Sequence, residues 1–129
     1  MKIFLDTADT DIIRQCYNTG LIDGVTTNPT LIMKSGRSPV DVYETIKDIG
    51  IKDISMEVVG DFNDMVKEGH RLFNRFGSVA TIKVPCTEDG LMACNYLAKE
   101  KINVNVTLVF SAAQAILAAK SGATYVSPF

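Results

Sequence analysis

Strand-like and helix-like segments alternate along this chain, and that alternation limits the folds available to it. Six segments of strand character begin about 20 to 30 residues apart, the length of one strand plus one helix. They lie at residues 2–6, 24–28, 54–59, 79–84, 103–109 and 124–128. The spacing predicts parallel strands joined by right-handed helical crossovers.

The strands also have two unlike faces, because successive side chains of a strand point to opposite sides. The aliphatic faces predicted for the third, fourth and fifth strands are Ile54, Met56 and Val58, then Ala80, Ile82 and Val84, then Val104, Val106 and Leu108. An open sheet with helices on both sides should be apolar on both faces. A barrel wrapped in helices keeps polar residues on its inner face. The pattern therefore predicts the (β/α)8 TIM barrel class, with about six β/α units in one partial domain over residues 1–129.

Helix starts are marked between the strands. Ser38, followed by Pro39, has the features of an N-cap and first helical residue. Ser111 and Gln114 fit a capping box.

Composition excludes several function classes. The 129 residues carry a net charge of −2, with no basic run that would indicate nucleic-acid binding. No apolar stretch approaches the roughly 18 residues that span a bilayer, and the N-terminus does not resemble a signal peptide. Three cysteines without CxxC spacing argue against a zinc site and favour a reducing cytoplasm. His70 is the only histidine and lies in a helical pattern, so Ser-His and Cys-His catalysis is not expected.

The polar strand faces bring chemistry to the inside of the predicted barrel. Their inward-facing residues are Asp6, Asn28, Glu57, Lys83, Asn105, Thr107 and Ser127. Burial favours the neutral, nucleophilic amine of Lys83, whereas carboxylates nearby favour the ammonium. A nucleophilic amine suits a carbonyl substrate, since the iminium ion it forms accepts electrons when an adjacent C–C bond breaks. The alternative is a buried lysine–carboxylate pair that only fixes the sheet.

Five stretches of the chain are familiar in combination. They are FLDTAD (4–9), GVTTNPTLI (24–32), MEVV (56–59), IKVPCTEDGL (82–91) and the segment 105–129, which begins NVTLVFSAAQ. Together they resemble the transaldolase family, in the small bacterial and archaeal subgroup that includes fructose 6-phosphate aldolases. The resemblance covers essentially the whole chain.

The resemblance implies specific catalytic roles. Lys83 matches the Schiff-base lysine, and Asp6 matches the acid/base that takes the C4 hydroxyl proton as the C3–C4 bond breaks. Glu57 matches a carboxylate that works through a catalytic water, which Thr107 holds. No metal or organic cofactor is implied.

Further residues match substrate-binding positions. Asn28 and Asn105 correspond to amides that orient substrate hydroxyls and the dihydroxyacetone unit, and Ser127 lies at the site mouth. Thr26 and Phe129 complete the expected substrate-binding set. The implied reaction moves a dihydroxyacetone unit between sugar phosphates of the pentose phosphate pathway, from sedoheptulose 7-phosphate to glyceraldehyde 3-phosphate. The products are erythrose 4-phosphate and fructose 6-phosphate.

Two alternatives remain. The aldolases resemble this chain but have glutamine at Glu57 and tyrosine at Phe129, and they lack the asparagine matching Asn105; all three positions here favour transaldolase. The second alternative is a non-catalytic half-barrel that binds sugar phosphate. Lys34 and Arg37, after NPTLI, are interpreted as a solvated loop rather than a phosphate contact.

The resemblance also predicts what would lie beyond Phe129. Family members continue with about two more strands and a phosphate-binding arginine. We therefore expect the chain alone to be unstable or associated, through open sheet edges, and weakly active. The complete protein is expected to be a cytoplasmic homo-oligomer that acts on sugar phosphates.

Overall fold

A computed structural model describes all residues, 1–129, and divides them into two compact units, Met1–Met56 and Glu57–Phe129. The elements of the first unit are strand β1 (Phe4–Asp6), helix α1 (Thr10–Tyr17), strand β2 (Gly24–Thr26), helices α2 (Pro29–Ser35) and α3 (Pro39–Ile49), and strand β3 (Ile54–Glu57), whose last residue begins the second unit. Strand β2 pairs in parallel with both β1 and β3. The core of this unit contains Ile13, Val25, Val42 and Ile46, none of which is exposed to solvent.

The second unit repeats the same alternation. Its elements are helix α4 (Phe62–Phe76), a 3-10 turn (Gly77–Val79), strand β4 (Ala80–Pro85), helix α5 (Glu88–Lys99), strand β5 (Val104–Val109), helix α6 (Ala112–Lys120) and strand β6 (Tyr125–Pro128). Strand β5 pairs in parallel with both β4 and β6. None of the six α-helices combines the length and the apolar composition that a membrane span requires.

The strand order confirms the predicted fold class. Hydrogen bonding follows chain order from β1 to β6, with a helix after each of the first five strands. Consecutive parallel strands with intervening helices are the topology of a (β/α)8 barrel, of which this chain carries six strands and the helices that follow the first five.

Strands β3 and β4 are regular, so their side chains alternate between two faces as predicted, whereas the alternation fails near the end of β5. Ile54, Met56, Ile82 and Val84 are completely buried. In β5, however, Val106 pairs with Val126 while Val109 pairs with Pro128, so β5 contains one extra residue. The prediction that Leu108 shares the aliphatic face is wrong, because this bulge gives Leu108 a left-handed φ of 58° and leaves it 42% exposed.

Two predicted helix starts agree with the structure, one of them in modified form. Ser38 accepts a hydrogen bond from the Asp41 amide at the start of α3, with Pro39 as the first helical residue. Ser111 accepts one from the Gln114 amide, as in a capping box. The Gln114 side chain instead accepts from the Phe110 amide, at 2.7 Å, rather than from Ser111.

The three free cysteines differ in burial, which gives a prediction for their reactivity. Cys94 is buried in α5, and burial raises the pKa of its thiol, whereas Cys16 and Cys86 are half-buried. Because the thiolate is the reactive form, we expect Cys94 to react last with Ellman's reagent at pH 8. Three equal rates in the native protein would contradict this; equal rates in concentrated urea are the expected control.

Candidate active site

Lys83 is the buried cation of the second unit. It lies in β4 between Ile82 and Val84, which point to the opposite face, and only 7% of the residue is exposed. Its Nζ lies 3.2 Å from Oε2 of Glu57. A buried ammonium requires such a partner, because it has lost most of its hydration. The ion pair explains how an apolar strand accommodates a lysine.

Backbone pairing places Glu57 beside this lysine. Glu57 is the last residue of β3, and the next amide, that of Val58, donates to the carbonyl oxygen of Lys83 at 3.0 Å. This bond holds the carboxyl end of β3 against the middle of β4. The side chain of Glu57 is 16% exposed, so the pair lies where solvent is scarce but present.

Asn105 and Ser127 continue this row of polar side chains. Asn105 is the register partner of Lys83 on the neighbouring strand, so the two side chains share a face. Asn105 is 2% exposed, and its Oδ1 accepts a hydrogen bond from Ser127 Oγ at 2.8 Å. This bond orients the amide, with the carbonyl oxygen toward β6 and the NH2 group on the other side.

Thr107 ends the polar face of β5. It is the register partner of Pro85, is 8% exposed, and its carbonyl oxygen accepts from the Cys86 amide at 2.8 Å. The bulge at Leu108 follows directly. Because of the extra residue, Val109 packs into the core and is 2% exposed, although unbroken alternation would place it on the face of Thr107. The bulge therefore separates the polar face from the apolar end of the strand.

In the first unit, Asp6 and Thr26 form a hydrogen-bonded pair. They are register partners at the carboxyl ends of β1 and β2, and Thr26 Oγ1 donates to Asp6 Oδ1 at 2.9 Å. Asp6 is exposed and Thr26 half-buried. Because a carboxylate has several lone pairs, Asp6 can accept this hydrogen bond from Thr26 and still accept another from a second partner.

Asn28 has a different local role from the one predicted. The sequence placed it inside the second strand, but β2 ends at Thr26 and Asn28 is the N-cap of α2. Its Oδ1 accepts from the Leu31 amide at 2.9 Å, and Pro29 follows as the first helical residue. Asparagine before proline suits an N-cap, which explains the early end of the strand. The cap uses the side-chain oxygen and leaves the amide nitrogen as the group that can donate to a ligand.

Phe129 lies on the surface of the second unit. It is 92% exposed, and its ring centroid lies 5.4 Å from that of Phe110. Its amide donates to the Val109 carbonyl oxygen, so β6 continues alongside β5 to the last residue.

The structure thus groups the expected residues by unit. The second unit brings Glu57, Lys83, Asn105 and Ser127 together, with Thr107 on the same face as Asn105. An amine beside a carboxylate, with amide and hydroxyl groups next to it, has the nucleophile and proton acceptor that covalent catalysis on a carbonyl requires.

One feature of the first unit differs from the sequence interpretation. Lys34 and Arg37 are both exposed, as the interpretation expects, but Lys34 lies in α2 rather than in a loop. Both residues also line a cavity of about 370 Å³ between the β1–α1 loop and α2. The positions of Lys34 and Arg37 in the sequence could have indicated this cavity. They lie in and just after α2, which follows the carboxyl end of β2, and barrel proteins bind ligands at the carboxyl ends of their strands.

Comparison with known proteins identifies what the chain is similar to. The family model for transaldolase/fructose-6-phosphate aldolase matches residues 3–129. Proteins named probable transaldolase from Nitrosopumilus maritimus, Paracoccus denitrificans and Caulobacter vibrioides are 55%, 53% and 54% identical over the whole chain. The chain spans 58% of the first of these relatives and 59% of the other two.

Proposed function

Because this chain belongs to the transaldolase/fructose-6-phosphate aldolase family, we propose that Lys83 forms a Schiff base with a ketose phosphate. The observation that carries the proposal is the buried Lys83–Glu57 pair, with 3.2 Å between Nζ and Oε2. A lysine that only stabilised the sheet would need the carboxylate alone. Here Asn105 and Ser127 extend the polar row across two further strands.

The first steps of the reaction use Lys83 and Glu57. Glu57 accepts a proton from the ammonium, and the free amine attacks the C2 carbonyl of the ketose. The carbinolamine hydroxyl then takes a proton and leaves as water, which gives the iminium ion. The 3.2 Å contact is short enough for direct transfer of the first proton. A water held by Thr107, as the resemblance implies, serves the later transfers.

Bond cleavage and transfer follow from the iminium ion. The electron pair of the C3–C4 bond moves toward the iminium nitrogen while Asp6 takes the proton of the C4 hydroxyl. This releases an aldose and leaves an enamine of dihydroxyacetone on Lys83. The enamine carbon attacks the aldehyde of an acceptor aldose phosphate, Asp6 returns the proton, and hydrolysis frees the lysine.

Polar side chains orient the three-carbon unit. The Asn105 oxygen accepts from Ser127, which fixes the orientation of the amide on the polar face. Ser127 donates its only hydroxyl proton to Asn105 and therefore accepts from a substrate hydroxyl. Asn28 presents its NH2 group, since its oxygen caps α2. Thr26, bonded to Asp6, orients that carboxylate.

We propose transaldolase rather than aldolase activity, within the pentose phosphate pathway. Glu57, Asn105 and Phe129 carry this distinction, since the aldolases of the subgroup resemble the chain elsewhere. Phe129 lacks the hydroxyl that would help protonate the enamine and release free dihydroxyacetone. With no such acid, the enamine persists until an aldose acceptor arrives.

We also propose a cytoplasmic location and a homo-oligomeric state for the complete protein. Support for the reducing compartment comes from Cys16, Cys86 and Cys94, which are all free thiols. The oligomeric state follows from the family resemblance and is measurable by light scattering.

Borohydride trapping tests the Schiff base. The protein is treated with sodium borohydride with and without fructose 6-phosphate, and its intact mass and peptides are then measured. We expect a reduced adduct on Lys83 that appears only with the sugar phosphate. An adduct on other lysines only would contradict the assignment.

The substitution Lys83→Met distinguishes the non-catalytic binding module from the proposed enzyme. If the chain is a binding module, Lys83→Met keeps most of its affinity for fructose 6-phosphate and the wild type yields no adduct. If it is the proposed enzyme, the wild type yields the adduct and Lys83→Met does not.

Phe129→Tyr tests the choice between transaldolase and aldolase. The added hydroxyl supplies an acid for the enamine, so we expect release of free dihydroxyacetone from fructose 6-phosphate, without acceptor, to rise at least about tenfold. An enzymatic assay for dihydroxyacetone measures it. Phe110→Tyr is the matched control, because Phe110 is also exposed and packs against Phe129. An equal rise in both variants would contradict the role given to residue 129.

A further inference from the structure

We propose that the cavity between the β1–α1 loop and α2, here called the Lys34–Arg37 cavity, binds a phosphate group. It lies wholly within the first unit and has a volume of about 370 Å³. That falls within the roughly 300–1,000 Å³ typical of small-molecule sites. The Schiff-base mechanism assigns no role to Lys34 or Arg37, so this site goes beyond the proposed function.

Arg37 is held in place without losing its charge. Its Nη2 donates to the Asp41 carbonyl oxygen at 3.1 Å and to Thr45 Oγ1 at 2.6 Å. Both acceptors are neutral, and no ion pair joins Arg37 to a carboxylate. A guanidinium fixed by neutral acceptors is pre-organised, so less conformational entropy is lost when its remaining N–H groups bind an anion.

Lys34 supplies the second positive charge. It is exposed in the last turn of α2, lines the same cavity, and also forms no ion pair. Two unneutralised cations at one cavity wall attract a dianion more strongly than either does alone. The site therefore favours phosphate over a singly charged carboxylate.

The one carboxylate at the cavity is already engaged. Asp9 caps α1, and its Oδ1 accepts from the amides of Asp11 and Ile12 at 3.0 and 3.1 Å. The positive end of the helix dipole compensates part of its charge. Thr10 and Ser35 add hydroxyl groups to the lining. The balance is two cations against one capped carboxylate.

The ligand class follows from these groups. A phosphate has several acceptor oxygens, which suit the planar donor fork of arginine together with the point charge of lysine. The chemistry is shared by inorganic phosphate and by the phosphate ester of a sugar phosphate. The location suits either source, since the cavity lies beyond the carboxyl ends of β1 and β2, where barrel proteins bind ligands.

Amide NMR of the full chain, titrated with inorganic phosphate, tests the site. We expect saturable shifts at residues 7–10 and 31–37, and none from sodium chloride at equal ionic strength. Lys34→Met should weaken binding about tenfold, the effect of losing one charge-assisted contact. Lys52→Met, a change at an exposed lysine of the same unit outside the cavity, should leave the affinity unchanged.

Several results would overturn the proposal. They are shifts that do not saturate, equal shifts from chloride, or equal affinity in wild type and Lys34→Met. A parallel titration of the Lys83→Met variant with fructose 6-phosphate, read at residues 7–10 and 31–37, identifies the source of the phosphate, because this variant cannot form the Schiff base: tighter binding than inorganic phosphate supports the sugar ester, and equal affinity supports the free ion. Lys83→Met should keep the phosphate shifts, so failure of the Schiff base and failure of this site are distinguishable.

Discussion

Lys83→Met is expected to lower turnover of ketose phosphate by at least about three orders of magnitude, the scale seen when a covalent nucleophile is removed. Methionine has a similar length and fills the same space in β4, but it has no amine to attack a carbonyl. Formation of erythrose 4-phosphate from sedoheptulose 7-phosphate and glyceraldehyde 3-phosphate measures the effect. Lys52→Met, at an exposed lysine, is the control and should retain full activity.

The same substitution also affects stability, and a double mutant separates the two effects. Lys83→Met leaves the carboxylate of Glu57 largely buried without its cation, which should cost about 2 to 3 kcal/mol of unfolding free energy. Adding Glu57→Gln removes the stranded charge and should recover most of this loss, while activity stays absent. Recovery of turnover in the double mutant, or normal turnover in Lys83→Met, would contradict a catalytic role for the amine.

The position of Lys83 was predictable because strand geometry alone determines it. Alternation with a period of two places Lys83 opposite Ile82 and Val84 whatever the rest of the chain does. In the structure β4 is a regular strand over Ala80–Pro85, so the fully buried Ile82 and Val84 lie on the face opposite Lys83. For the same reason Glu57 and Met56 were assigned to opposite faces correctly.

Features that depend on pairing between distant segments were not predictable in this way. The bulge at Leu108 arises from how β5 pairs with β6, and nothing in the local sequence marks an extra residue. The alternation of side chains also placed Asp6 and Glu57 on the inner face, but it did not predict which of the two carboxylates pairs with Lys83. The 3.2 Å contact of Glu57 depends on the Val58–Lys83 backbone bond between strands.

Asn28 shows a third limit of prediction from sequence. The sequence did contain a helix-start signal at this residue, but a strand signal competed with it. The residues before it have strand character, whereas Asn28 followed by Pro29 is a helix start. The cap prevails in the structure, because an asparagine oxygen satisfies an amide at the helix N-terminus that would otherwise lack a partner. At this position, an N-cap residue followed by proline predicted the local structure better than the strand character of the preceding residues did.

Gly90→Ala is expected to destabilise the chain by about 3 kcal/mol. Gly90 is buried in the first turn of α5, where a Cβ atom would overlap the carbonyl oxygen of Pro85. That oxygen belongs to the backbone at the end of β4, so the overlap is relieved only by moving the helix or the strand. Urea unfolding measures the loss of stability. Pro85 lies two residues after Lys83, so we also expect less borohydride adduct on the lysine at a given concentration of fructose 6-phosphate.

Gly69→Ala is the matched control, since Gly69 is also a buried helical glycine without a left-handed backbone. Its Cβ would meet only side-chain atoms, the nearest being Leu97 Cδ1 at 3.1 Å, and these can turn aside. Alanine also favours the helix by about 1 kcal/mol over glycine. The net change should therefore stay within about 1 kcal/mol of wild type. If Gly90→Ala were equally mild, helix α5 would not lie directly against the carboxyl end of β4, and the position of Lys83 would not depend on that contact.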